Sequence, residues 1–226
     1  EMSSPNTAYE SCSRLSTHLT YGTISMREIY QKTGSRKKLI TPEERKKYPI
    51  WTKSISAFNS RLRWHCHFIQ KLEMQPSIEY ENIHPLTQQL LKDDRPEFLE
   101  KWKMGQTGFT LVDACMRALK ETGWLNFRMR AMVVSVACQH LNISWQTVAN
   151  YLAQCFTDYE PGIHYSQCQM QAGTTGINAI RIYNPIKQAK DQDPNAIFIK
   201  KWIPELKLFT FVSGHDALFT ISPGFA

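Results

Sequence analysis

A long stripe of apolar residues constrains the fold of this chain more than any other feature. Between Ser54 and Glu73, apolar side chains recur at the three- and four-residue spacing of one helix face. A half-buried strand would instead alternate apolar and polar residues at every second position. The pattern therefore predicts one long amphipathic helix. Its stripe consists of Ile55, Phe58, Leu62, Ile69 and Leu72, with Cys66 filling the gap.

Similar patterns predict three further helices downstream. One extends over about residues 110–120 and stops at Gly123, which suits the left-handed position after a helix end. A second extends over about residues 126–140. Ser144 is placed to cap a third, which continues to about Phe156.

Two segments near the N-terminus predict helix starts. Residues 25–28 and 41–44 both match the capping box, in which a Ser or Thr and a Glu three positions later satisfy backbone N–H groups. The second has Pro42 at the first helical position, where its missing N–H does no harm. Together these patterns predict an all-α, multi-helical fold.

Two other segments lack a helical pattern. Residues 158–195 are rich in Gly, Gln, Asn and Thr, and Gly162 and Gly173 interrupt the periodicity. We interpret this segment as a long polar loop, which in a helical domain is more often functional than idle. Near the C-terminus, the apolar runs Leu208–Val212 and Leu218–Ser222 predict a possible small terminal hairpin.

The composition limits the classes of protein that fit. A length of 226 residues with 42% apolar content suits one globular domain. The net charge of +7 indicates a polyanionic partner, because Lys and Arg displace counterions from phosphates. The six cysteines lack the spacing of a zinc site, so we expect no metal, and free thiols suit the cytoplasm. No apolar run reaches the roughly 20 residues of a membrane span.

Five short motifs follow one another in a distinctive order. They are SRLS at 13–16, TGFTLVDACMR at 107–117, TGWLNFRMR at 122–130, RIYNPIKQ at 181–188 and FIKKWIPEL at 198–206. In this order and spacing they resemble the signature motifs of the FAD-binding, C-terminal domain of the photolyase/cryptochrome family. The resemblance covers about residues 5–206. It implies a helical FAD-binding domain over residues 1–206 and a divergent tail over residues 207–226.

The resemblance implies FAD as the cofactor and assigns contacts to it. Cys12, Ser13, Leu15 and Ser16 correspond to the family's phosphate-binding turn, with Cys12 where Thr is usual. Outward backbone N–H groups of such a turn suit a doubly charged pyrophosphate. Taken alone, the turn would be an ordinary N-cap cluster. The other implied contacts are Phe58, His65, Trp124, Phe127, Arg130, Asp158, Glu160 and His164.

Some of these contacts are expected to set the chemistry of the flavin. Arg130 and Asp158 would form a cation–carboxylate pair near its polar edge, or else a structural salt bridge between a helix and a loop. His164 would face the flavin N5 with a pKa near working pH, or else lie in a surface loop. Trp124 would pack beside the flavin or in the core. The resemblance implies catalytic roles for Trp64, Trp124 and His164.

The resemblance also implies a surface for DNA that contains pyrimidine dimers. Trp64 falls where family members have an aromatic wall for a flipped-out dimer, and such stacking returns roughly 1–3 kcal/mol per base. Its alternative role is that of a half-buried aromatic residue. Arg61 stands where dimer-repairing members have a glutamate, and Met170 where they have a second aromatic wall. The expected DNA contacts are Arg61, Trp64, Met170, Arg181 and Gln188.

The expected electron path departs from the family pattern. Family members generally reduce the flavin through three tryptophans. Trp145 matches the middle one, but Cys168 and Lys92 occupy the flavin-proximal and distal positions. Photoreduction would therefore be absent, slow, or routed through other residues such as Trp124, Tyr165 or Trp64.

The leading hypothesis is light-driven electron transfer that repairs pyrimidine dimers, the activity of a deoxyribodipyrimidine photolyase. A cryptochrome-like blue-light photoreceptor and a degenerate, flavin-free domain are the alternatives. We expect a cytoplasmic monomer without membrane contact and with no N-terminal antenna domain in this chain.

Overall fold

The fold is built from helices joined by turns. The computed structural model describes residues 2–89, 92, 95–177 and 179–208, and no strand occurs within these ranges. The all-α prediction is therefore confirmed, and the predicted terminal hairpin lies outside the described residues except for Leu208. The α-helices are α1 Pro5–Ser11, α2 Ser16–Thr20, α3 Met26–Lys38, α4 Pro42–Lys47, α5 Trp51–Met74, α6 Pro96–Met104, α7 Thr110–Thr122, α8 Phe127–Ser135, α9 Trp145–Cys155, α10 Pro161–Ala172, α11 Pro185–Gln192 and α12 Ile197–Trp202.

Helix α7 lies in the centre of the core. Nine of its thirteen residues are buried, and it packs against α6, α8, α11 and α12. Its N-terminal turn is closed by the Asp113 carboxylate, which accepts hydrogen bonds from the backbone N–H groups of Thr107 and Gly108 at 2.8 and 2.9 Å. It ends at Gly123 in the left-handed conformation, as predicted.

The long helix predicted over residues 54–73 is α5, and it packs against α10. The two helices approach closely at Gly162. A Cβ atom there would lie 2.7 Å from the Cα of Ile69 and 2.8 Å from the carbonyl oxygen of Phe68. The absence of a side chain at Gly162 thus brings the middle of α5 against the first turn of α10.

The interpretation of residues 158–195 as one long polar loop is wrong. The segment contains α10 and α11, each with a proline at its first position. Gly173 does not break a helix but ends α10 in the left-handed conformation. The polar residues misled the sequence argument because some of them are buried. Gln169 is fully buried, and its amide bonds Ile83 N–H, Thr174 Oγ1 and the carbonyls of Ile78 and Glu81 at 2.8–2.9 Å.

The remaining helix predictions are confirmed with small changes. The helix predicted over residues 126–140 is α8 followed by a π-helical turn, Val136–His140. Ser144 caps α9, and its side chain accepts a hydrogen bond from the N–H of Thr147. The box at 41–44 forms in full, whereas at 25–28 the Ser25 side chain bonds Glu28 N–H without the reciprocal bond. No described helix is long and apolar enough to cross a membrane.

Candidate functional site

The site centres on an ion pair between α8 and the loop before α10. Nη2 of Arg130 lies 2.9 and 2.8 Å from the two carboxylate oxygens of Asp158. Nε of the same guanidinium donates to the Leu125 carbonyl at 2.7 Å, and the ring of Phe156 packs 4.0 Å beneath it. The carboxylate is almost completely buried. The arrangement therefore holds one fixed positive charge at the start of α8.

His164 lies beside this pair, in the first turn of α10. Its Nε2 is 2.8 Å from the Ala149 carbonyl oxygen. Because a carbonyl only accepts, Nε2 carries the hydrogen of the neutral ring and Nδ1 is left as an acceptor. The pKa of His164 is lowered to about 4, chiefly because the ring is buried; the Arg130 charge acts in the same direction, whereas the hydrogen bond to Ala149 and the Asp158 charge oppose the shift.

Two expectations for His164 are thus wrong. The residue is in a helix and half-buried, not in a surface loop. Its pKa is well below working pH because the ring is desolvated, so the imidazole is neutral at pH 7. The ring is also packed edge-on against Tyr159 and Tyr165, with centroids 5.2 and 5.3 Å away.

Glu160 and His65 face each other where α5 meets α10. Glu160 is the N-cap of α10, and its carboxylate accepts a hydrogen bond from the N–H of Gly162 at 3.3 Å. Burial lowers the pKa of His65, while the nearby Glu160 charge opposes that shift. Nδ1 of His65 is buried and has no hydrogen-bond partner among the described residues. Phe58, the remaining α5 residue expected to touch the cofactor, is half-buried two turns before His65.

The turn at 12–16 adds a residue that sequence reasoning did not assign. Arg14 has a positive φ of 58°, which directs its side chain back onto α1. Its guanidinium packs against the rings of both Tyr9 and Trp124, 4.2 and 4.0 Å from their centroids. Nη1 is buried without a hydrogen-bond partner in the described part of the chain. The position of Arg14 inside the SRLS motif was the available signal.

The other residues of this turn are more open. Cys12 follows α1 and Leu15 precedes the short helix α2, which Ser16 begins. Ser13 is exposed. No side-chain cap satisfies the start of α2. Trp124 is half-buried against Arg14, so it lies neither in the core nor free in solvent. Phe127, expected to contact the cofactor, is 62% exposed at the first position of α8.

The residues expected to contact DNA are on three elements. Arg61 and Trp64 lie on α5, and both are exposed; the indole stacks on Phe68 with centroids 5.8 Å apart. Met170 is half-buried near the end of α10, and Gln188 is half-buried on α11. Arg181, which lies between Met170 and Gln188 in sequence, is exposed. Within the described ranges, no hydrogen bond, ion pair or ring contact joins these five residues to one another.

The three residues on the expected electron path, Lys92, Trp145 and Cys168, all make contacts within the fold. Lys92 donates to the Cys138 carbonyl, and Cys168 is buried with Sγ 3.9 Å from His164 Nε2. Trp145 is buried, and its indole N–H donates to Asn82 Oδ1 at 2.6 Å. Its ring centroid is 6.5 Å from that of Tyr165. The Tyr165 ring therefore lies between Trp145 and His164 and contacts both, whereas Cys168 has no ring.

Comparison with known proteins identifies the fold and the cofactor. The family model described as the FAD binding domain of DNA photolyase matches residues 58–217, more than half of the chain. The chain belongs to this photolyase FAD-binding domain family. The expectation of a photolyase-like, FAD-binding domain is thereby confirmed. Among curated relatives, a deoxyribodipyrimidine photo-lyase of Halobacterium salinarum is 30% identical over 202 residues, 88% of this chain and 40% of its own length.

Relatives of the photolyase FAD-binding domain include cryptochromes as well as repair enzymes. A cryptochrome DASH of Gloeobacter violaceus is 38% identical over 116 residues, 51% of this chain and 23% of its own length. An archaeal photolyase of Sulfolobus tokodaii, solved with two FAD molecules, is 32% identical and has a TM-score of 0.74 over 86% of this chain and 41% of its own. A Synechocystis cryptochrome is 26% identical with a TM-score of 0.78 over 92% of this chain and 41% of its own. The chain thus spans about 40% of the photolyases that it matches.

The residues present fit an FAD molecule. The buried, unpartnered nitrogens of Arg14 and His65 are hydrogen-bonding groups that a bound diphosphate would satisfy. The fixed charge of Arg130 suits the polar edge of a flavin ring. The individual contacts to FAD stay predictions.

Proposed function

We propose that this chain is the flavin domain of an enzyme that uses light to repair pyrimidine dimers in DNA. The observation that carries the proposal is the buried Arg130–Asp158 pair beside a neutral His164. It is supported by the packing of this region against α5, which presents Trp64 to solvent. FAD supplies the light-driven one-electron chemistry when it is bound.

The chain's own residues bind and orient the cofactor. Arg14 and His65 hold its phosphates through their buried nitrogens, with the backbone of Ser13 and Ser16 contributing further N–H donors. Arg130 provides a positive charge that Asp158 keeps in place. In this proposal Nδ1 of His164 would accept a hydrogen bond from the cofactor. The ring donates no proton near neutral pH, because it is neutral and its N–H group donates to the Ala149 carbonyl.

Arg61 and Trp64 form the DNA side of the site on α5. Trp64 offers an aromatic face to a flipped base, and Arg61, one turn earlier, offers a phosphate contact. Met170, Arg181 and Gln188 contribute to the same surface in this proposal. Undamaged and damaged duplexes would share the phosphate contacts, so discrimination rests on the stacking partner.

Trp145 and Tyr165 would form the path along which an external reductant, such as a thiol, supplies electrons to bound flavin. Tyr165 is packed between the rings of Trp145 and His164, with centroids 6.5 and 5.3 Å away. The hydroxyl of Tyr159 donates to that of Tyr165 at 3.2 Å.

The protein acts as a cytoplasmic monomer, a location that agrees with six unpaired cysteines.

An absorption spectrum followed by a repair assay tests the proposal. The purified chain should be yellow or should take up added FAD. With a chemical reductant and blue light, it should remove dimers from irradiated DNA, and a dark sample should not. A colourless protein that takes up no FAD refutes the proposal.

A photoreceptor is the second candidate, favoured by the similarity to a cryptochrome. A yellow protein with no repair but with a light-dependent change in conformation supports it instead.

A further inference from the structure

The positive charge of this chain is concentrated in one short segment. Residues 36–53 contain seven Lys and Arg residues and two Glu residues, so these 18 residues hold five of the seven net charges of the chain. Six of the basic residues are exposed, and only Arg36 is half-buried. Within the described ranges, Arg36 is also the only one of them in an ion pair, with Glu44 at 2.7 Å. Because unpaired cations raise the local potential, this segment attracts anionic surfaces.

The segment forms one end of an antiparallel pair of helices. Thr33 Oγ1 on α3 donates to Asn59 Oδ1 on α5 at 2.8 Å. One turn later on α3, Lys37 Nζ donates to Ser56 Oγ at 3.1 Å, which is earlier on α5. The end of α3, all of α4 and the start of α5 therefore meet at the same end of the pair. We call residues 36–53 the basic tip.

The basic tip also exposes aliphatic side chains. Leu39 and Ile50 are 68% and 69% exposed, directly after α3 and directly before α5. Ile40, next to Leu39, is buried and anchors the turn. Single exposed apolar residues are common, but these two lie among cations at one end of the helix pair. Since aliphatic groups gain free energy on leaving water, the tip combines electrostatic with apolar attraction.

The aromatic rings of the basic tip are partly covered by cations. The guanidinium carbon of Arg36 lies 4.6 Å from the ring centroid of Trp51, and Nζ of Lys47 lies 5.4 Å from that of Tyr48. The two rings also pack on each other, with centroids 5.7 Å apart. Single-stranded nucleic acids are bound largely by free aromatic faces on which bases stack. Covered rings and exposed aliphatic side chains therefore suit a lipid surface better than an oligonucleotide.

We propose that the basic tip binds the surface of a membrane that contains anionic lipids. Clusters of roughly four to eight Lys and Arg residues recognise such headgroups. Leu39 and Ile50 enter the boundary between headgroups and acyl chains, and Tyr48, about half exposed, lies at the level of the headgroups. The expectation of no membrane contact rested on the lack of a spanning segment, which a reversible, peripheral contact does not need.

The basic tip is separate from the proposed repair surface. Between Trp51 and Trp64 the axis of α5 rises about 20 Å. The tip also contains none of the residues that we expect to contact FAD or DNA. Membrane binding thus goes beyond dimer repair and does not depend on bound flavin.

Flotation with lipid vesicles tests this binding. The full chain should bind vesicles of mixed phosphatidylserine and phosphatidylcholine, should be released from them by salt, and should not bind phosphatidylcholine alone. Lys46→Gln/Lys47→Gln should bind about twentyfold more weakly, because each cation near an anionic surface strengthens binding about fivefold. Leu39→Ser/Ile50→Ser should bind at least about tenfold more weakly and keep most of the salt dependence.

Matched controls change the same types of residue outside the basic tip. Lys120→Gln/Lys207→Gln replaces two exposed lysines, and Met74→Ser/Leu86→Ser replaces two exposed apolar residues. Both should bind anionic vesicles within about twofold of the wild type, because screened charges and side chains away from the surface contribute little. Circular dichroism and FAD content report whether each variant is folded.

Four results would overturn the membrane site. They are equal binding to phosphatidylcholine alone, wild-type binding by either tip variant, equal losses in the controls, and no binding to anionic vesicles. If the last result is accompanied by binding of an oligothymidylate that depends on Lys46 and Lys47, the tip binds nucleic acid instead. Binding of anionic vesicles by a colourless chain would support the membrane site even though the repair proposal fails.

Discussion

Nη2 of Arg130 bonds both carboxylate oxygens of Asp158, at 2.9 and 2.8 Å. The side chains are 28% and 3% exposed, respectively. Removing the arginine therefore leaves a carboxylate that solvent hardly reaches. Replacing both partners by apolar residues leaves no buried charge. Comparing the single with the double replacement therefore distinguishes an effect on stability from an effect on cofactor binding.

Arg130→Ala should lose FAD and should lower the free energy of unfolding by roughly 2–4 kcal/mol, because Asp158 is left buried and unpaired. Urea unfolding and the absorbance ratio of flavin to protein measure the two effects. Arg128→Ala, on the same helix, is the control and should change neither. Arg130→Met/Asp158→Leu should recover most of the stability but bind no FAD. If that double variant retains FAD, the pair is a structural salt bridge only.

The sequence predicted the core better than the surface of the site. Helix α7 was predictable because its apolar residues and the following Gly123 obey one local rule. Helix α10 was not, because Gln169 is buried in a pocket of backbone groups that are distant in sequence. The close approach at Gly162 has the same origin, since it depends on where α5 passes.

The candidate site shows a similar division. The resemblance to the family predicted a pair between Arg130 and Asp158, and the structure pairs them. The pKa of His164 was predicted wrongly because desolvation depends on packing by distant residues. Arg14 was quoted within a motif, but only the structure shows its positive φ and the packing of its guanidinium against Trp124.

His164 should make the stability of this domain depend on pH below neutrality. Its pKa is lowered from 6.5 to about 4 on folding, so the unfolded state binds more protons in that interval. Stability should be complete above about pH 6.5 and should fall as the pH drops toward 4. Through His164 alone, the free energy of unfolding should fall by about 2 kcal/mol when the pH is lowered from about 7.5 to 5.

Urea unfolding of the wild type and of His164→Gln at both pH values checks this contribution. The variant should lose about 2 kcal/mol less than the wild type on acidification. A pH dependence that is the same in both proteins would show that His164 is protonated equally in the folded and unfolded states.

Gly162→Ala should separate α5 from α10. The added methyl group would lie 2.7 Å from the Cα of Ile69, a backbone atom that cannot move alone. We expect a loss of roughly 1–3 kcal/mol in the free energy of unfolding, together with weaker FAD retention. Gly34→Ala on α3 is the control, because nothing lies within 4 Å of its added Cβ. It should be neutral or gain roughly 0.5–1 kcal/mol.

Trp64→Ala should weaken binding of dimer-containing DNA by about five- to a hundredfold, the equivalent of one lost stacking contact. The indole is half exposed, so FAD content and the urea midpoint should change little. Electrophoretic mobility shifts with damaged and undamaged duplexes measure the effect. Tyr80→Ala, at another exposed aromatic residue, should retain the preference for damage. A large loss of stability in Trp64→Ala would instead show that the ring has a packing role.

Trp145→Phe and Tyr165→Phe should each slow photoreduction of bound flavin at least about tenfold, the equivalent of about 1.4 kcal/mol in the activation barrier. The two rings are 6.5 Å apart, and Tyr165 continues the contact to His164 at 5.3 Å. Blue-light bleaching of the flavin absorbance in the presence of a thiol measures the rate. Trp202→Phe, in a half-buried ring packed on Phe198, is the control and should bleach at the wild-type rate. If Trp145→Phe is also unchanged while Trp124→Phe is slow, electrons enter from the Arg14 side of the site, and the path through Tyr165 is wrong.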